Sequence, residues 1–397
     1  MGISNQIKSS IENSSMIRKM FEEGDRRREL YGAENVFDFS IGNPIFEPPP
    51  EVQQNLLKLV QSDEKGTHRY MPNSGYPATR QYLANILATE SGLSFNENDI
   101  IMSVGAGGAL NVIFKTLLNP GDEVIVFRPY FLEYNAYVGN YAGNVVAVDT
   151  KDDFRLDFEA LKKGITAKTK AVLINSPNNP TGVVYTSDEL AQLGRVLREK
   201  SAEIGQPISL ISDEPYRKIV YEETAPSVFP HYENSIVATS YSKDLAMPGE
   251  RIGYIAISPK HQDHQLLTVG AVLSLRILGF VNAPALMQRL LPLVGDVCVD
   301  LKPYQTNRDL LYNHLTGIGF SCVKPGGAFY LFPKCLIEDD LAFIEAAQEL
   351  NLLLVPGSGF GMPGYFRLSY CFETEMIERS LPVFTKLAQQ FQHNNKV

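Results

Sequence analysis

The chain has 397 residues, long enough for a large domain with a smaller companion. Its 36 Lys and Arg against 45 Asp and Glu leave a net charge of −9, which argues against non-specific binding to nucleic acid or anionic lipid. A content of 44% hydrophobic and 20% charged residues suits a soluble globular protein, and no run approaches the ~18 apolar residues of a membrane-spanning helix. The opening MGISNQIKSS has no apolar signal core. Gly2 ahead of a serine-bearing stretch is too short a match to read as an acylation signal. Cys298, Cys322, Cys335 and Cys371 show no C-x-x-C spacing and read as reduced thiols of a cytoplasmic protein. The six histidines form no H-x-x-x-H pair, so no metal site is expected.

In chain order, a helix is predicted over 14–30, with basic Arg26–Arg28 read as a solvated face. From about Pro48 to the 280s, β-branched runs at 123–127, 171–175, 208–212, 235–239 and 254–258 alternate with helical segments such as 109–118 and 187–200. That alternation predicts crossover connections and a doubly wound, mostly parallel sheet. Its chemistry belongs in the loops at the carboxyl ends of the strands. Beyond about Pro292 a helix at 304–314, extended runs at 320–324 and 329–332, and a further helix predict a smaller α+β unit. We expect a large domain over 48–290 and a small domain formed by both termini, 1–47 and 291–397.

Four segments carry candidate chemistry: NSPNNPTG (175–182), DEPY (213–216), SYSKDLAMPGERIGY (240–254) and FRLSY (366–370). Lys243 follows a strand between serines, with Arg251 eight positions on. A Schiff-base lysine needs a carbonyl partner, and an arginine beside hydroxyls suits a phosphate. Alone, Lys243 would be read as a surface lysine. Asp213 ends the apolar strand ISLIS, where a partly desolvated acid is costly unless it meets a cation such as a ring nitrogen; it also reads as a helix N-cap. Asn179 sits in a turn-forming string and has an amide to donate. The run VGAGGA (104–109) precedes a helix and offers backbone N–H groups to an anion, though not in the spacing of a dinucleotide fingerprint. GSGFG (357–361) reads as a turn.

These segments, in this order, resemble the class I/II aminotransferases of the aspartate aminotransferase superfamily, fold type I pyridoxal-phosphate enzymes. The likeness runs from about Asp38 to Tyr370 and includes SIGNP (40–44), YMPNSGY (70–76), PYFLEY (129–134) and PGGAFY (325–330). The resemblance implies a pyridoxal 5′-phosphate cofactor joined to Lys243, which moves the proton at the substrate Cα, and Asp213 against the ring nitrogen. It implies Asn179 and Tyr216 at the ring oxygen, and Phe131 stacked on the ring. Arg251, Ser240, Ser242 and the backbone of Ala106 and Gly107 would take the phosphate. Arg367, with Gly42 and Asn179 nearby, would take the substrate carboxylate. Tyr70 would reach the phosphate of a neighbouring subunit, implying a homodimer with shared sites.

The sequence departs from the family in two ways. Its phosphate loop holds only small residues, and it has no tryptophan, so Phe131 replaces the common Trp stack. No second arginine for a side-chain carboxylate stands out among Arg18, Arg69 and Arg128. The expected activity is ping-pong amino transfer from an L-amino acid, with aspartate or aromatic donors, to a 2-oxo acid. A C–S β-lyase on the same fold is the alternative. A non-enzymatic effector-binding domain is a third reading, disfavoured because no helix-turn-helix is attached.

Overall fold

The computed structural model describes residues 2–4, 7–8, 11, 16–62, 65–222 and 224–392. Strand β1 (Phe37–Asp38) lies apart from the main sheet. That sheet consists of β2 (Ile100–Ser103), β3 (Glu123–Arg128), β4 (Asn144–Asp149), β5 (Thr169–Asn175), β6 (Ser209–Asp213), β7 (Ser235–Ser240) and β8 (Gly253–Ile257). Their order is β2-β8-β7-β6-β5-β3-β4. Strands β3 to β7 pair in parallel, while β8 runs antiparallel to both its neighbours, β7 and β2.

Alternate residues along each strand enter different cores, as the period of two demands. Ile125, Val172, Ile174, Leu210 and Val237 face one layer with Leu83, Leu190 and Leu197 from helices Pro77–Ser91 and Ser187–Ile204. Val124, Val126, Leu173, Ile211 and Ile236 face the other layer with Leu110, Phe114 and Leu275. Those three come from helices Gly105–Leu117 and His264–Ile277. Burial on both faces explains why the strands read as continuous apolar runs. The α/β expectation holds, and the five expected strands appear within two residues of their predicted ends. Strands β2 and β4 lie outside the expected set: β2 is four residues long, and β4 is a half-buried edge strand.

A third core joins Met20 and Phe39 to Leu311, Leu315, Phe343, Leu368 and Phe384. Around it, β9 (Tyr330–Leu331), β11 (Val355–Pro356) and β12 (Phe366–Ser369) form an antiparallel sheet ordered β11-β12-β9. Strand β10 (Leu352–Leu353) pairs in parallel with β1. The run 320–324, expected to be extended, forms no strand. GSGFG is a single 3-10 turn over Gly357–Phe360. The helix predicted over 14–30 is described from Met16 to Tyr31, so the first two residues of the prediction lie outside the described residues.

Two details place the loops that matter. The helix expected at 109–118 begins four residues earlier, at Gly105, which puts Ala106 and Gly107 in its first turn, where backbone N–H groups have no intrahelical acceptor. Gly253 packs directly on that turn. A β-carbon there would overlap the Thr239 carbonyl oxygen and stand 3.1 Å from Gly105 backbone atoms. Gly253→Ala should therefore cost about 1–3 kcal/mol of stability through overpacking. Urea denaturation should show a lowered midpoint, and an unchanged midpoint would refute this reading of the contact.

Candidate active site

The carboxyl ends of β5, β6 and β7, adjacent parallel strands, deliver Asn175, Asp213 and Ser240 to the same end of the sheet. A cavity of about 300 Å³ lies there. It is lined by Gly42, Ala106, Gly107, Phe131, Asn179, Asp213, Tyr216, Ser240, Ser242, Lys243, Arg251 and Arg367. Of the residues named from sequence, only Tyr70 is not in that lining; it is 90% exposed on the surface.

Asp213 is buried, and its Oδ2 accepts a hydrogen bond from Tyr134 Oη at 2.6 Å. Its Oδ1 has no partner among the described residues. Burial pushes this carboxyl up to about 7, opposed by the Tyr134 hydrogen bond and reinforced by neighbouring Glu214. Asn175 Nδ2 donates to the Asp213 carbonyl at 2.8 Å and its Oδ1 accepts from Asn179 N at 2.7 Å, tying the NSPNNPTG turn to the end of β6. A buried acid with one free oxygen facing a cavity fits a cationic ring nitrogen.

Lys243 Nζ donates to the Gly42 carbonyl at 2.6 Å and lies 5.6 Å from the Phe329 ring centroid. Burial brings its amine down to about 8, with Arg367 and Arg251 adding to the fall and Cys371 opposing it. Arg251 adopts a left-handed backbone, φ +50, at the end of the turn Pro248–Glu250. Its guanidinium donates to Pro248 O at 2.9 Å and reaches Val104 O at 3.4 Å, beside the first turn of the helix that carries Ala106. A β-carbon on Gly105 would stand 2.7 Å from Arg251 Nη2, so glycine is what lets the guanidinium lie against the turn. Cation, hydroxyls of Ser240 and Ser242, and helix N-terminus together make an anion cradle.

Across the cavity, Arg367 on β12 is 2% exposed. Its ring neighbours are Tyr330 and Phe360, with centroids 4.6 and 4.9 Å from the guanidinium carbon. Nη1 donates to Asn179 Oδ1 at 3.1 Å and Nη2 donates to the Ser40 carbonyl, while Nε has no partner among the described residues. Ser40 is in turn held by Asp38 Oδ1, which accepts from its hydroxyl at 2.6 Å, and Asp38 Oδ2 accepts from Arg28 at 2.6 Å. An arginine fixed this way is a preorganised fork for a carboxylate.

Three aromatic residues escape the sequence reading. Tyr134 holds Asp213, Tyr137 lines the cavity, and Tyr330 shares a 2.9 Å hydroxyl contact with Tyr216. The i, i+3 spacing of Phe131, Tyr134 and Tyr137 is a helical-face signal that points to the first two additions; Tyr330 stands in the quoted PGGAFY string. Of the arginines weighed for a second carboxylate, Arg128 pairs with Asp149 at 3.1 Å and Arg69 is exposed. The Arg18 side chain lies outside the described residues. Among the described residues, no group of three or more His, Cys, Asp or Glu could hold a metal ion, and no helix is long and apolar enough to cross a membrane.

The family profile of aminotransferase class I and II matches residues 34–383. The chain belongs to this aminotransferase family. Among curated relatives, it is 33% identical over 360 residues to the aspartate/prephenate aminotransferase of Thermus thermophilus, covering 88% of this chain and 90% of that one. An amino transferase crystal structure from Eubacterium rectale superimposes with a TM-score of 0.95 at 40% identity, over 98% of this chain and 99% of that one. The alanine aminotransferase from Pyrococcus furiosus gives 0.87 at 28% identity, over 98% and 100%. The protein is a pyridoxal-phosphate-type aminotransferase by family, and the lyase alternative is not favoured.

In the cofactor-free aminotransferase the raised Asp213 carboxyl has a consequence for stability. Native Asp213 keeps a proton that the unfolded chain releases above 3.8, so its contribution falls as pH rises towards about 7 and then levels off. Asp244 and Glu214 are shifted the same way by burial, so the test is a difference. Asp213→Asn should gain stability relative to wild type across that window, measured by urea denaturation of both proteins without cofactor. Parallel pH curves would refute it.

Proposed function

We propose that this enzyme binds pyridoxal 5′-phosphate in the cavity and moves an amino group from an L-amino acid to a 2-oxo acid in a ping-pong cycle. The observation that carries the proposal is one cavity with an amine at Lys243, an unpaired buried carboxylate oxygen at Asp213 and a caged arginine at Arg367. When bound, the cofactor ring supplies an electron sink for charge developing at the substrate Cα.

The chain's own groups have separable duties. Asp213 holds the ring nitrogen protonated. Asn179, whose Oδ1 is occupied by Arg367, keeps its amide hydrogens for the ring oxygen, with Tyr216 beside it. Phe131, in the cavity lining, would cover the ring face. Arg251, Ser240, Ser242 and the N–H groups of Ala106 and Gly107 hold the phosphate. Arg367 fixes the substrate carboxylate beside Gly42, so that Lys243 can take and return the Cα proton. An amine lowered to about 8 is partly unprotonated near neutral pH, the state a base needs.

Exposed Tyr70 supports a homodimer in which it completes the neighbouring site. The shared core of Met20, Phe39 and residues after 299 supports the division into 48–290 and 1–47 with 291–397. For the donor we propose aspartate or an aromatic amino acid, following the aspartate/prephenate relative and the aromatic lining of Phe131, Tyr216 and Tyr330.

Purified wild type should show the visible absorption that pyridoxal phosphate gains on joining a lysine amine, and Lys243→Ala should lack both it and amino transfer. Wild type that stays colourless with added cofactor overturns the proposal. Arg367→Lys should raise KM for every donor in an amino-acid panel by roughly 10-fold or more, since a point charge cannot replace the fork. Mixing inactive Tyr70→Ala and Lys243→Ala subunits should restore activity through one intact shared site per hybrid; no recovery in verified hybrids would exclude site sharing through Tyr70.

A further inference from the structure

The loop at the start of helix Gly105–Leu117 brings only backbone donors to the anion cradle, because Gly105, Ala106 and Gly107 carry no hydroxyl. Next to it stands the phenol of Tyr137, with no hydrogen-bond partner among the described residues. Tyr137 belongs to helix Glu133–Gly139, on the face that carries Tyr134 to Asp213. A β-carbon on Gly107 would lie 3.2 Å from Tyr137 Oη and 3.8 Å from its Cζ, so the hydroxyl occupies the space that a side chain at 107 would enter. Its neighbours on the same surface are already paired: Asn140 Nδ2 donates to Asn111 Oδ1 at 3.1 Å, and Tyr141 reaches the same oxygen at 3.4 Å. No hydrogen bond of Tyr137 Oη is present among the described residues, yet the side chain is half-buried and lines the cavity with Ala106, Ser240, Ser242 and Arg251.

We propose that Tyr137 is a further phosphate-binding residue of this aminotransferase, its hydroxyl donating to the cofactor phosphate from the position that a side chain at 107 leaves open. The inference rests on the reading that pyridoxal phosphate occupies this cavity with its phosphate at the cradle. Protonation is right for the task. Burial pushes the phenol up to about 12, with Glu133 and Asp213 adding to the rise and Arg251 opposing it, so Tyr137 keeps its proton and donates. The helix turn and the arginine bring charge, and the phenol would add one directed hydrogen bond to the phosphate.

The test is cofactor affinity, measured by fluorescence titration of the stripped full-length protein with pyridoxal 5′-phosphate and, separately, with pyridoxal, which lacks the phosphate. A hydrogen bond to a charged group predicts that Tyr137→Phe weakens pyridoxal phosphate binding by roughly 10- to 100-fold and leaves pyridoxal binding unchanged. Adding Gly107→Ser to Tyr137→Phe should recover much of the loss, since the missing hydroxyl leaves room for a serine there. Equal affinity of Tyr137→Phe and wild type for pyridoxal phosphate overturns the proposal, as does an equal loss for both ligands, which would assign Tyr137 to the ring or to the fold. A raised KM for the amino donor with unchanged cofactor affinity would assign it to the substrate and also overturn it. Failure of wild type itself to bind pyridoxal phosphate defeats the reading beneath the proposal, a result distinct from all of these.

Discussion

The Asp213 carboxylate ends a buried strand with one oxygen held by Tyr134 and the other facing the cavity. Burying an acid this deeply is unfavourable unless a cation or hydrogen bonds compensate it. Much of the surrounding structure follows from keeping that carboxylate in place. Strand β6 is flanked by parallel strands on both sides, and the pairing runs as far as Asp213 on each. Asn175 fastens the next loop to the Asp213 backbone, and helix Glu133–Gly139 lies close enough for Tyr134 to reach it. The same helix carries Tyr137, and the Tyr134 N–H at its start donates to the Phe131 carbonyl, so Asp213, Phe131 and Tyr137 depend on one placement.

A second constraint acts from the other side of the cavity. Arg367 is enclosed by two rings and bonded to Asn179 and Ser40, so a cation on β12 and an amide of the NSPNNPTG turn share a hydrogen bond at the cavity. The SIGNP segment serves both, since Ser40 accepts from Arg367 and Gly42 accepts from Lys243. Small adjustments of this segment would be felt by the arginine and the lysine together. That coupling gives a physical reason for the segment's position, between helix Met16–Tyr31, which holds Asp38 through Arg28, and the cavity.

How much of the site was legible in the sequence depended on where each residue stands. Lys243, Asp213, Asn179, Ser240 and Arg251 lie in or beside loops that follow apolar strands, and a parallel sheet gathers such loops at one edge whatever the details of packing. Arg367 was legible through its FRLSY string. Tyr134, Tyr137 and Tyr330 were not, because their roles depend on how closely a short helix approaches β6 and how β9 faces Tyr216. The run at 320–324 shows the opposite error: its apolar residues suggested a strand, but Phe320 and Cys322 pack in the third core and Val323 against the core of the main sheet without one.

The sequence by itself determined the chemistry available: one lysine after a strand, an acid at a strand end, a turn with a free amide, two arginines in the right strings, and the alternation that makes the sheet. These are local properties, carried by residue type and spacing. Only the tertiary structure decided which polar atoms at the cavity are left without hydrogen-bond partners among the described residues, Asp213 Oδ1, Arg367 Nε and the Tyr137 hydroxyl among them. Whether a polar atom is satisfied depends on every neighbour that folding brings within about 3 Å, and those neighbours lie tens to hundreds of residues away along the chain.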